Sequence, residues 1–176
     1  HVRAGAMIVT KTLQPKPLTR EAFSRYGDVI ELDGAKHFTI NQGMTERYHD
    51  LANVDVSTED GKAIVSIFQG QSYDLPIQIK MMERHPLGSQ LFFPLNERPY
   101  LVVVGEGEDQ LDPSTLTAFL ARGDQGVNYA RKTWHHPLLA LEQVSNFIIV
   151  DRDGPGNNLE EVWLEERDWA EINSIE

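Results

Sequence analysis

Apolar and polar side chains alternate along most of this chain, and Gly, Pro, Asn and Asp interrupt them at short intervals. That is the punctuation of a β-sandwich or barrel. Period-two stretches predict strands over 28–32, 37–41, 63–69, 76–83, 90–94, 100–105, 116–120 and 138–151, the last broken in two. Val102-Val103-Val104 is an unbroken β-branched run, the mark of a strand buried on both faces. The segment from Asp112 is read as strand, although Asp-Pro opens helices as well as turns. A short helix is expected over 18–26, with Thr19 capping it, Glu21 in its first turn and Gly27 ending it in the left-handed region. The Glu-rich tail over 159–172, with Trp163 and Trp169, reads as a charged amphipathic helix on the outside of the β body or against a second subunit. There is no internal repeat.

Composition narrows the possibilities. The 176 residues suit one domain, placed at 7–176, and the opening HVRAGA ahead of Met7 reads as a cloning remnant. Neutralising phosphates takes a basic face, and the net charge is −11, so neither nucleic acid nor an anionic membrane surface is expected as a partner. The chain has no cysteine, which removes disulfides, thiolate nucleophiles and Cys-ligated metals. No apolar run reaches the roughly 20 residues that a membrane span needs. A cytoplasmic setting is expected.

Candidate chemistry sits in two places. Three of the six histidines lie in E-R-H-P-L-G-S-Q, residues 83–90, and W-H-H-P, residues 134–137. Along the strand expected at 76–83, Ile77, Ile79, Met81, Glu83 and His85 share one face. Three of them are apolar and must face the core, so Glu83 and His85 are expected to point inward near the strand's end. An inward carboxylate and imidazole need partners, because an unpaired buried charge is costly. Gln90 follows five residues after His85 and opens the next strand. His135 and His136 are adjacent, so at most one enters the interior; His136 is preferred. Gly105-Glu106-Gly107 lacks the Lys of a phosphate loop and reads as an acidic turn. Arg47-Tyr48-His49-Asp50 reads by itself as a turn with a His–Asp pair.

The spacing Glu83-x-His85-x4-Gln90 resembles the first cupin motif, with Glu for its first His and Gln for its usual Glu; its closing Gly would fall on Glu97. Trp134-His135-His136-Pro137 stands where the second motif supplies a further His. Cupins are double-sheet β folds, and the expected fold is a mainly β, cupin-like double-sheet barrel or jelly roll with a few short peripheral helices. The chain is more specifically similar to the ureidoglycolate lyases of allantoin breakdown, a cupin-like family. The likeness rests on Asn41-Gln42-Gly43, Arg47-Tyr48-His49-Asp50, Glu83 to Gln90, Gln125-Gly126-Val127-Asn128-Tyr129 and Trp134 to Pro137. Ala22-Phe23 and Tyr26 to Glu31 fit that family's beginning. The resemblance implies cleavage of (S)-ureidoglycolate to glyoxylate and urea by a homodimer, with nickel as cofactor.

The residues suit that reaction. Breaking the C–N bond of a carbinolamide takes a proton from its hydroxyl and gives one to the departing urea nitrogen. Glu83, His85 and His136 are the candidate catalytic groups. Arg47, Tyr48, Arg84 and Lys132 are candidates for holding the substrate carboxylate, although alternation sets Arg84 opposite His85. His85, Gln90 and one of His135 and His136 form a candidate metal set. Few carboxylates among imidazoles suit nickel, zinc or copper better than magnesium. A neutral amide binds weakly, so the expected metal is labile or dispensable. Two other readings stand beside the lyase: a metal-dependent cupin of another class, isomerase or dioxygenase, and a non-catalytic cupin that binds a small ligand.

Overall fold

The protein is described by a computed structural model over residues 9–176; the HVRAGA segment lies outside the described residues. The first strands are β1 (Lys11–Thr12), β2 (Lys16–Pro17), β3 (Gly27–Ile30), β4 (His37–Ile40), β5 (Thr45–Tyr48) and β6 (Lys62–Gly70). Next come β7 (Ile77–Ile79), β8 (Met81–Arg84), β9 (Gln90–Pro94), β10 (Tyr100–Glu106), β11 (Asp112–Ala121) and β12 (Gly126–Tyr129). The last are β13 (Trp134–His135), β14 (Leu139–Ala140), β15 (Ser145–Asp153), β16 (Glu160–Trp163) and β17 (Ala170–Ile172).

Two sheets face each other, as a cupin-like barrel requires. One runs β16-β8-β13-β10-β11-β2, with β14 also on β10, and the other runs β3-β12-β9-β15-β6. Between them lies an aromatic-rich core of Phe23, Phe92, Tyr100, Phe119, Tyr129 and Phe147. A third layer, β1-β17-β7, covers the outer face of the first sheet over Leu101, Val103, Ala118 and Met82. Val102 and Val104 therefore face the inner core while Val103 faces the outer one, so β10 is buried on both sides as its β-branched run demands.

The short helix α1 (Arg20–Phe23) is capped by Thr19, whose hydroxyl accepts from the Ala22 amide at 3.1 Å. Its Phe23 plugs the barrel's end against Phe119 and Tyr129. Gly27 follows at φ +148°, and a Cβ there would stand 1.9 Å from the Asn128 carbonyl oxygen, so only glycine lets β3 close onto β12.

Two expectations are corrected. The tail is not a helix: β16 extends the first sheet by pairing with β8, and β17 inserts between β1 and β7. Val162, Leu164, Ala170 and Ile172 pack on the outer core while Trp163 is 70% exposed, a period of two that the Glu content disguised. Sheet edges with free backbone groups outweighed local helix preference. The strand expected over 76–83 is broken at Lys80 into β7 and β8, which belong to different sheets. The break shifts the phase, because Ile77, Ile79 and Met82 all face the outer core. Glu83 and His85 do face the inner space, but as the alternates of Met82 rather than as neighbours of Ile77 and Ile79.

Candidate active site

Glu83 on β8 and His135 on β13 are direct cross-strand partners, so their side chains lie side by side on one face. His85 follows β8, and its backbone carbonyl accepts from the Lys132 amide at 3.0 Å. The ring's Nδ1 lies 2.8 Å from the Asn158 carbonyl oxygen, and its Nε2 lies 3.1 Å from Gln90 Oε1 and 3.6 Å from Glu83 Oε2. Gln90 opens β9 opposite Tyr129, and its Nε2 donates to Asp151 Oδ2 at 3.1 Å. Tyr129 stacks flat on the His135 ring at 4.1 Å, and the His85 and His135 rings are 5.3 Å apart.

Both histidines turn Nδ1 toward a backbone carbonyl, Asn158 for His85 and His136 for His135 at 3.3 Å. Nδ1 of each ring is thereby a donor and Nε2 faces the shared space; His85 Nε2 meets two acceptors there, Gln90 Oε1 and Glu83, and so carries a proton, whereas His135 Nε2 is bare. One ligand atom from each of Glu83, His85 and His135 lies within 4.8 Å of the others. His135 is 1% exposed, and its Nε2 has no hydrogen-bond partner among the described residues. An orphaned buried imidazole nitrogen beside a carboxylate, a second imidazole and an amide oxygen fits a divalent cation of the nickel, zinc or copper kind.

Charge is distributed unevenly across this group. Burial opposes ionisation of Glu83, but the His85 hydrogen bond and the surrounding imidazoles outweigh it and hold the carboxyl below its ordinary value. Burial likewise opposes charge on His85, yet Glu83, the Asn158 carbonyl and Gln90 outweigh it and raise the ring's pKa. Burial and the neighbouring His85 push His135 down to about 3. Burial raises the Asp151 pKa against the Gln90 donor. The surroundings thus favour charge on Glu83 and on His85, beside a third group, His135, that burial holds toward its neutral form.

His135 carries a stability consequence. The unfolded ring takes up a proton below about pH 6.5, whereas the folded one stays neutral down to about 3. Its contribution is therefore full above pH 6.5 and drains away as pH falls from 6.5 toward 3. The loss is at most about 5 kcal/mol, at about 1.4 kcal/mol per pKa unit. Urea unfolding across that window should show a shallower decline in His135→Phe than in the parent protein; equal declines would remove His135 as the cause.

Not every residue expected at the site is there. His136 gives way to His135: β13 pairs with β10 so that Trp134 packs on the outer core and His135 turns inward, while His136 Nδ1 bonds the Pro137 carbonyl at 2.8 Å. Arg84 lies on the opposite face, over the Trp134 ring at 4.4 Å, paired with Glu160 at 2.9 Å and bonded to the Glu108 carbonyl at 2.6 Å. Lys132 is exposed and lines an open cleft of about 770 Å³ with Arg25, Arg84, Glu106 and Trp134, on that same outer side. Arg47 and Tyr48 sit on the β4–β5 hairpin, Arg47 over Phe38 and Tyr48 stacked on His37. That hairpin is a separate two-stranded sheet, and no His49–Asp50 hydrogen bond forms among the described residues. Asp151 was missed. Its signal was present in the run Phe147, Ile149, Asp151, an inward face that ends on a carboxylate.

The family model described as ureidoglycolate lyase matches residues 10–171. The ureidoglycolate lyase of Brucella anthropi is 58% identical over 154 residues, covering 88% of this chain and 90% of that protein. That of Burkholderia mallei is 56% identical over 165 residues, covering 94% of this chain and 96% of that protein. The chain belongs to the ureidoglycolate lyase family.

Proposed function

We propose that the protein cleaves (S)-ureidoglycolate to glyoxylate and urea, a step of allantoin breakdown, at the Glu83–His85–His135 group. The observation that carries the reading is the convergence of a carboxylate, a raised imidazole and a neutral unpartnered imidazole at the inner end of a barrel whose chain belongs to this family. The reaction consumes no water. A base takes the hydroxyl proton, the hydroxyl oxygen becomes the aldehyde oxygen of glyoxylate, and the C–N bonding pair leaves on the urea nitrogen, which takes up a proton. Neutral His135, with its free Nε2, or the Glu83 carboxylate receives the first proton. His85, held toward its cationic form, delivers the second.

The same side chains suit a metal as an alternative to proton transfer by these rings, because a ligating imidazole nitrogen carries no proton. His85, His135, Glu83 and Gln90 would hold it, and nickel is the assignment that the imidazole-rich donor set supports. Such an ion supplies polarisation of hydroxyl and carboxylate oxygens.

A homodimer belongs to this reading. Val65, Val150 and Leu91 form one row across β6, β15 and β9, and Ile67, Ile148 and Phe93 form the next. Both rows face away from Phe92, Phe147 and Ile149, and Val65 and Ile67 are 69% and 61% exposed. An apolar sheet face of that size is covered in most soluble proteins, and a second copy would cover it. Sedimentation should find Ile67→Asp as a monomer where the parent is a dimer; an unchanged dimer would place the interface elsewhere.

The test of the activity is product stoichiometry from racemic ureidoglycolate, with and without added nickel. Conversion of half the substrate to glyoxylate, with equal urea and no ammonia, is expected. Ammonia without urea would mean amide hydrolysis instead, and no turnover above the spontaneous rate would return the protein to the other cupin readings.

A further inference from the structure

The geometry points to Asp151 as a positioning residue that holds the Gln90 amide with its oxygen, not its nitrogen, toward His85. This inference rests on the placement of the reaction at the Glu83–His85–His135 group. A glutamine amide fits its space equally well in two orientations, and only its partners choose between them. Asp151 comes from β15 and meets Gln90 Nε2 at 3.1 Å from one side, while His85 Nε2 lies 3.1 Å from Oε1 on the other. An ionised carboxylate accepts and never donates, so the NH₂ end must face Asp151. The oxygen end is thereby committed to His85 and to the space shared with Glu83 and His135. Turned round, the amide would aim an N–H at His85 Nε2 and remove the one neutral oxygen from that space.

The pair also accounts for the amide itself. A carboxylate at position 90 would stand about 3 Å from Asp151, the arrangement in which two like charges cannot both ionise. Gln90 with Asp151 carries the same single negative charge that Glu with Asn would carry, displaced one side chain away from the histidines. The burial of Gln90, only 6% exposed, leaves water little room to substitute for either partner.

Three variants test this: Asp151→Asn, Gln90→Glu and the double exchange Gln90→Glu/Asp151→Asn. An asparagine at 151 can donate as well as accept, so it no longer dictates the orientation of Gln90. Asp151→Asn is expected to lower kcat about 10-fold with KM changed much less, the low end of what such supporting partners contribute. Gln90→Glu alone is expected to lose more, from the facing carboxylates. The double exchange restores one donor and one acceptor with oxygen toward His85, and should recover most of the Gln90→Glu loss. A role confined to packing would give no such recovery.

The second readout needs no turnover and no metal: the ¹⁵N signal of His85 Nε2 in metal-free protein labelled on histidine. It should move in Asp151→Asn and return toward the parent position in the double exchange. A parent enzyme inactive on ureidoglycolate would sink the lyase reading and leave this ring signal to decide the positioning role. An active parent with a silent Asp151→Asn, in rate and in ring signal alike, would overturn the positioning role alone. So would a double exchange no better than Gln90→Glu.

Discussion

His85→Ala is expected to lower kcat/KM for ureidoglycolate by about 10³-fold, the middle of the range for losing a proton-transfer group. His85 touches every other member of the site: Glu83, Gln90, His135 and the Asn158 carbonyl. No neighbour can replace it as donor, because Gln90 and Asp151 are turned to each other and His135 stays neutral above about pH 3. The fold should survive. The ring lies at the end of β8 beyond both apolar clusters, so its removal forfeits one or two hydrogen bonds of about 1 kcal/mol each. Steady-state kinetics beside a thermal melt separates the two effects. Full activity in this variant would sink the assignment, and collapse of the melt would mean that His85 serves the structure.

Glu83→Gln should cost about 10²-fold in kcat/KM. Affinity for a divalent cation should fall about 10- to 100-fold, since Glu83 is the sole anion among the three convergent groups. A third effect has a definite sign. Glu83 helps to raise the His85 pKa against burial. Without that carboxylate the imidazolium loses its counter-charge, so the His85 pKa falls. The ring then becomes neutral at a lower pH than in the parent, and an NMR titration of the metal-free proteins should show the midpoint moving down. An unmoved midpoint would mean that the Asn158 carbonyl and Gln90 hold the proton by themselves.

Much of the fold was legible because sheets repeat every two residues. The Val102–Val104 run, β9 and the break before β15 all follow from hydrophobic pattern and turn residues. The β12 strand escaped because Gly126 and Asn128 read as turn residues, yet Gly126 packs against Phe93 and Asn128 bonds Asp28 across the sheet. The tail escaped because its partners, β8 and β7, are some eighty residues away and cannot be seen in its own composition. Glu83, His85 and Gln90 were legible as a group, since they flank one turn between adjacent segments. Choosing between His135 and His136 was not, because a two-residue strand takes its phase from β10 and β8 rather than from itself. Arg84 went to the outer face, as strand alternation required, whereas Arg47 and Tyr48 sit on a hairpin with its own sheet, which no periodicity ties to the barrel.

The most direct test of where the chemistry happens is a crystal structure of the protein soaked with nickel and glyoxylate, using anomalous scattering to find the metal. The expected result is a nickel peak at His85 Nε2, His135 Nε2 and the Glu83 carboxylate, with glyoxylate beside it. Glyoxylate bound instead in the cleft of Arg25, Arg84 and Lys132, with the Glu83–His85–His135 group bare, would contradict the account.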